Sequence, residues 1–268
     1  MRTRRTYIGA AGLLFLADLR LHLPISDVCD ALVRRFGFPA FDRGVRSGFV
    51  LLLLGVAATA VCSRTTEKLR KLAALGALAL AALVVQRVLL VSSIENIHYP
   101  QYAVLAILFG VGGLRRETAW LTATTLGALD EWYQHLALTR GTPGYFDWND
   151  VVLNALGAAF GVVLLATFRG DASEPPVARD RWSGRAAAAA ALVVLLTAWP
   201  GSGSSFYTTT PGGRVYHRLG AVEAVAIVAL VSIAMSGFRP TLLSRSRASA
   251  GRLPREARPS TRREDRGI

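Results

Sequence analysis

The sequence predicts an all-α, polytopic transmembrane helix bundle of seven to eight spans, and three observations predict it. Of the 268 residues, 52% are hydrophobic, and the mean hydropathy is +0.36. The apolar residues gather into runs near twenty residues long, enough for a helix to cross about 30 Å of hydrocarbon. The basic residues, which leave a formal net charge of +13, fall mostly between and beyond those runs, as the positive-inside rule produces. In a soluble chain that charge would point to nucleic acid. Distributed over the connections it does not, and no nucleic-acid partner is expected.

Seven apolar segments are clear, at 45–63, 71–93, 99–114, 117–138, 148–168, 183–200 and 217–238. An eighth, 6–25, is interrupted by Asp18, Arg20 and His22, and Pro24 is expected to end it. It reads as a first span or an interfacial helix. A cleaved signal peptide fits less well, because no small-residue cleavage site follows the apolar core cleanly. The chain therefore divides into N-terminal spans with a connecting loop (1–70), a membrane core (71–168), two C-terminal spans (169–243) and a basic tail (244–268). The Arg-, Ser- and Pro-rich tail is too polar to bury a core and is expected to be disordered. Residues 201–213, rich in Gly, Ser and Thr, read as a loose external loop.

Arg and Lys choose the orientation. One set of connections carries Arg2, Arg4 and Arg5; Arg64, Lys68, Arg70 and Lys71; Arg115 and Arg116; Arg169, Arg179, Arg181 and Arg185; and the tail. The alternate set is poorer, so the first set, with the C-terminus, is expected to be cytoplasmic. Lys68 and Lys71 are the only lysines among 31 basic residues. That bias fits a GC-rich bacterial genome and hence a multi-pass protein of the bacterial cytoplasmic membrane. Cys29 and Cys62 are expected on opposite sides and unpaired.

The polar residues embedded in these runs carry the functional signal, because ionisable groups inside spans are costly. Asp130, Glu131, Gln134 and His135 close the segment 117–138, and Asp150 and Asn154 open the next, with Arg140 and Asp147 between. Asp150, Asn154, Gly157 and Gly161 share one helical face, and Gly157-x-x-x-Gly161 lets a neighbouring helix approach closely. The expected packing sets Glu131 and Gln134, on the helix 117–138, against Asp150 and Asn154. Glu95, His98 and Tyr102 form a second polar cluster at i, i+3 and i+7, and Glu223 lies in the last span at a depth of about two turns. All fall toward the expected outer side, so one externally open pocket is predicted.

Glu131-x-x-x-His135 offers two metal ligands at i, i+4, which His98, Asp147 and Asp150 could join. It lacks the second helical histidine of the zinc-protease pattern, and no metal or cofactor is expected. No phosphate loop, dinucleotide fingerprint or Gly-x-Ser-x-Gly elbow occurs.

At these residues the chain resembles the VanZ-like family, named after the teicoplanin-resistance accessory protein. The family pattern is matched by Glu131, Gln134, Arg140, Asp150, Asn154, Gly157 and Gly161. Upstream, Glu95-x-Ile97-His98-Tyr99-x-x-Tyr102-x-x-Leu105 is similar to the family's entry to its second helix. Many members carry Asp-Lys before that His, where this chain has Ile94-Glu95-Asn96-Ile97. The resemblance covers about 71–168 and implies a small multi-helix bacterial membrane protein, linked in its founding member to lowered glycopeptide susceptibility.

Three functions compete. In the first, an outward pocket of a cell-envelope protein binds or modifies a lipid-linked or anionic component such as a cell-wall precursor. Arg140 would then hold phosphate or carboxylate, and Glu131 with Asp150 would orient hydroxyls or act as general acid and base. His98, Tyr102, Gln134, Asp147 and Asn154 would line the site, with Gly157 and Gly161 structural. In the second, the motif is a structural clamp of a noncatalytic scaffold, and membrane lipids are expected partners in either reading. The third, a proton-coupled transporter relaying through Glu131, Asp150 and Glu223, is opposed by the absence of an evident internal repeat.

Overall fold

The computed structural model describes residues 2–63, 68–138, 146–169, 184–185, 187–193, 206–209 and 215–237. The fold is all-α, apart from one small hairpin. In chain order it runs α1 (Arg2–Phe36), α2 (Phe38–Cys62), α3 (Lys68–Val88), a 3₁₀ turn (Ser93–Ile97), α4 (His98–Val111), α5 (Arg116–Tyr133), a π turn (Gln134–Leu138) and α6 (Trp148–Arg169). Residues 187–193 are helical, and β1 (Phe206–Thr209), β2 (Val215–Arg218) and α7 (Ala221–Gly237) follow.

Four helices, Arg4–Phe36, Phe38–Cys62, Lys68–Val88 and Trp148–Arg169, are long and apolar enough to cross a membrane. The helix α7 is apolar but shorter. Leu13 and Leu16 on α1, Leu51 and Leu54 on α2, Leu80 and Val84 on α3 and Leu230 and Ile233 on α7 are all exposed. Such faces suit contact with lipid acyl chains, and the protein is a membrane protein.

Two sequence expectations for the N-terminal region are corrected. Pro24 does not end the first helix; it lies inside α1. A proline in a helix interior costs about 3 kcal/mol, yet α1 continues through it to Phe36, packed against α2 and α4. The residues between the expected segments 6–25 and 45–63 do not form a long connection but extend α1 and α2. At 1.5 Å per residue the 35 residues of α1 span about 52 Å, well beyond the hydrocarbon thickness. The break comes at Gly37, whose φ of 77° is a left-handed conformation that glycine adopts without a Cβ penalty. Pro39 follows in the first turn of α2, where its missing N–H is not needed.

The helix α6 is the hub and packs against α3, α4, α5 and α7. Val152, Leu153, Val162 and Val163 along it are almost fully buried. Its glycines act on a different neighbour from the one expected. A Cβ on Gly157 would lie 2.7 Å from the Tyr99 carbonyl oxygen, and one on Gly161 would lie 2.7 Å from the Ala103 Cα. The glycine face therefore seats α4, and α5 is seated by Gly127, where an added Cβ would lie 2.6 Å from the Asn154 Cβ. The small residue that admits α5 is on α5 itself. Trp120 fixes the same pair by donating its indole N–H to the Ala155 carbonyl at 3.0 Å.

The segment expected as a loose loop at 201–213 contains β1, which pairs antiparallel with β2. The expected last span likewise starts later, because 215–218 is strand and α7 begins at Ala221. Glu223 is consequently in the first turn of α7, accepts the Gly220 N–H at 3.3 Å and lies 3.9 Å from His217. It is a helix-start residue and not a deeply embedded charge. The tail at 244–268 lies outside the described residues.

Candidate functional site

The polar site is built where the start of α4, the end of α5 and the start of α6 meet. Each start is fixed locally. Before α4, Ser92 and Glu95 form a reciprocal capping box on the 3₁₀ turn, with Glu95 accepting the Ser92 N–H at 3.0 Å. The turn is pinned to α2 by Asp42, which accepts the Ser93 N–H at 2.7 Å and pairs with Arg46 at 2.8 Å. Glu95, expected as a site residue beside His98, accepts backbone N–H groups here and lines the same cavity as His98. Before α6, Asp147 accepts the Asn149 N–H at 3.1 Å, an N-cap that satisfies one of the helix's orphan donors. Burial pushes the Asp147 carboxyl above its ordinary range, while the Arg218 guanidinium and the Asn149 and Asp150 N–H groups pull the other way.

On this frame His98, Glu131 and Asp150 converge, with one donor atom from each within 4.8 Å of the others. His98 is bonded through Nδ1 to Asn154 Oδ1 at 2.9 Å, and its Nε2 lies 3.6 Å from Asp150 Oδ2. Because Asn154 Oδ1 can only accept, Nδ1 carries a proton in this contact, and Nε2 is aimed at Asp150. Glu131, 3% exposed, receives the Gln134 amide at 3.4 Å. Tyr102, fully buried, donates its hydroxyl to Asp130 Oδ2 at 3.2 Å.

The expected seam is therefore right in its membership and different in its pairing. Glu131 does approach Asp150, but Gln134 bonds to Glu131 within one helical turn, and Asn154 bonds to His98 on α4. Tyr102 is committed to Asp130, and Asp147 to capping. Arg140 lies outside the described residues. The basic residue whose charge acts on Asp147 and Asp150 is Arg218, from β2.

A cavity of about 810 Å³ opens onto His98 and Asp150 of this cluster, while Glu131 is not among its lining residues. Its polar wall holds His98 and Gln101 from α4, Asp130, Gln134 and Asp150, joined by Asp18 and His22 from α1. Its apolar wall is made by Leu14, Leu21, Ile25 and Val33 of α1 with Phe38 and Phe41 of α2. No Lys or Arg lines it among the described residues. Sequence reasoning missed Asp18 and Gln101, which hydrogen-bond each other; the signal was the acid interrupting the run 6–25. It also missed Asn149, which donates to the Leu89 and His217 carbonyls at 2.9 and 3.0 Å and accepts the Leu219 N–H at 2.9 Å. That side chain joins α6 to the end of α3, to β2 and to the entry of α7.

No family model, curated protein or solved structure matches the chain.

Proposed function

We propose that this is a VanZ-like protein of the bacterial cytoplasmic membrane whose pocket binds an amphiphilic, lipid-linked envelope component. The observation that carries the reading is the mixed lining of the cavity, an apolar wall of Leu14, Leu21, Ile25 and Val33 of α1 with Phe38 and Phe41 of α2, and a polar wall from α4, α5 and α6 that Asp18 and His22 of α1 join. A cavity of about 810 Å³ has the size of small-molecule sites generally. An acyl or isoprenoid chain suits the first wall, and a hydroxyl-rich headgroup suits the carboxylates and amides of the second. Glu131 and Asp150 are the general acid and base of this reading, and Arg140 is the group for an anionic portion of the headgroup. The Arg-rich connections support an outward-facing cavity and a cytoplasmic tail. A link to glycopeptide susceptibility follows from the resemblance alone.

Native mass spectrometry of the detergent-purified protein tests the reading. A bound amphiphile is expected in the wild type and is expected to be lost in Ala17→Phe, which fills the cavity from α1. Equal retention by both proteins, with equal melting temperatures, would remove the pocket from the function.

The scaffold reading keeps one specific observation in its favour. Asn149, Asn154, Tyr102 and Trp120 are all engaged between elements of the fold. A scaffold needs those contacts but does not need Glu131 as an acid, and the variant Glu131→Gln separates the two.

A further inference from the structure

We propose that His98, Glu131 and Asp150 bind one divalent metal ion, of the kind suited by mixed imidazole and carboxylate donors, such as Mn²⁺ or Zn²⁺. The three donor atoms lie within 4.8 Å of one another. Metal–ligand bonds of about 2.0–2.2 Å put neighbouring donors about 3–4 Å apart, so small side-chain shifts close the set around an ion. One imidazole with two carboxylates selects against soft ions and fits Mn²⁺ or Zn²⁺.

Four further features favour a cation. His98 donates Nδ1–H to Asn154 at 2.9 Å, the outer-shell bond that fixes a ligating histidine's tautomer and aims Nε2 at the ion. Nε2 faces the Asp150 carboxylate at 3.6 Å, so an ion between the two would be held by both. Asp150 Oδ1 has no hydrogen-bond partner among the described residues. Asp130, 2% exposed, lines the same cavity with its Oδ1 also unpartnered, and its charge acts on both Glu131 and Asp150. Buried carboxylates in such number, each with few hydrogen bonds, are costly unless a cation or a proton neutralises them, and the Arg218 charge acts on Asp150. The cavity is the entry path. The site changes the proposed function in one respect: with an ion bound, Glu131 and Asp150 hold it and do not act as acid and base, and the ion attracts phosphate, which an acidic wall repels.

Mn²⁺ alone, with no lipid added, is the probe. The full-length protein in detergent is stripped with a chelator and titrated, with free Mn²⁺ read by electron paramagnetic resonance. One saturable equivalent is expected in the wild type, displaced by Zn²⁺. Affinity should fall at least tenfold in His98→Gln and in Asp150→Asn, and about tenfold or more in Asn154→Ala through the outer shell. Electron spin-echo spectroscopy of the bound ion should show coupling to an imidazole nitrogen. Absence of a saturable equivalent, unchanged affinity in His98→Gln, or bound Mn²⁺ without nitrogen coupling overturns the proposal. The wild-type nitrogen signal decides the matter even where a variant fails to fold. Loss of lipid retention would leave these readouts untouched, so the two proposals fail separately.

Discussion

His98 and Asn154 meet at 2.9 Å, Nδ1 to Oδ1, across the most intimate helix pair of the molecule. The contact does two things at once. It ties the first turn of α4 to α6, and it turns the other ring nitrogen toward Asp150. Asn154 is fully buried, so its removal leaves the His98 Nδ1–H without its protein partner.

Asn154→Ala should therefore lower stability by about 1–3 kcal/mol, the cost of leaving a buried partner unsatisfied. Thermal unfolding in detergent, compared with wild type under identical conditions, reads the change. An unaltered transition would mean that the bond contributes little to holding α4 against α6.

The glycine face gives a second, sharper expectation. At Gly157 and Gly161 the atoms that an added side chain would strike are backbone atoms of His98, Tyr99 and Ala103, which cannot rotate aside. Gly157→Leu and Gly161→Leu should each destabilise by about 1–3 kcal/mol or more through overpacking. Gly76, on α3, has nothing within 4 Å of the same added atom, and Gly76→Leu should be tolerated. If all three variants behave alike, close approach of α4 and α6 is not the reason for these glycines.

These helices show where sequence reading succeeds and where it stops. Apolar runs and Arg placement mark α2, α3 and α6, because span length and charge position are one-dimensional quantities. The identity of facing helices is not one-dimensional. Asp150, Asn154, Gly157 and Gly161 announce one face of α6, but nothing in their spacing says that α4 and not α5 lies against the glycines. Pro24 misleads for a related reason: its intrinsic cost is local, while the constraint that overrides it comes from the surroundings. The site shows the same division. His98, Glu131 and Asp150 stand out as costly polar residues in apolar runs, whereas Asn149 is inconspicuous beside Asp150 and acquires its importance only through Leu89, His217 and Leu219.

Asn149→Ala removes the acceptor for the Leu219 N–H and the donor for two carbonyls. With several buried polar groups left unpaired, the loss should reach about 2–4 kcal/mol. Loosening should concentrate at β2 and the start of α7, read by hydrogen exchange at Val215–Arg218. Unchanged protection of that strand would show that α6 does not anchor it.

The orientation is open to a direct test. With Cys29 and Cys62 both replaced by Ser, a membrane-impermeant maleimide should label Asp27→Cys in intact cells. Leu69→Cys should react only after permeabilisation, because it sits within the Arg64–Lys71 connection assigned to the cytoplasm. The reverse pattern would invert the whole topology and put the cavity on the cytoplasmic side.

Glu131 decides between a working site and a clamp. It is 3% exposed, and its described partner is the Gln134 amide at 3.4 Å, a long contact that contributes little to holding α5 in place. Glu131→Gln keeps the shape and removes the charge and the exchangeable acid proton. If the residue is an acid, a base or a ligand, this variant should fold and melt like wild type or slightly higher, since a buried charge costs stability unless it is compensated. It should at the same time lose function, whether read as a glycopeptide-susceptibility phenotype or as retention of the bound amphiphile. If the carboxylate is only a structural element, function and melting temperature should move together. A Glu131→Gln protein that is stable and fully functional would end the acid–base reading and leave α4, α5 and α6 as a packed scaffold around an apolar cavity.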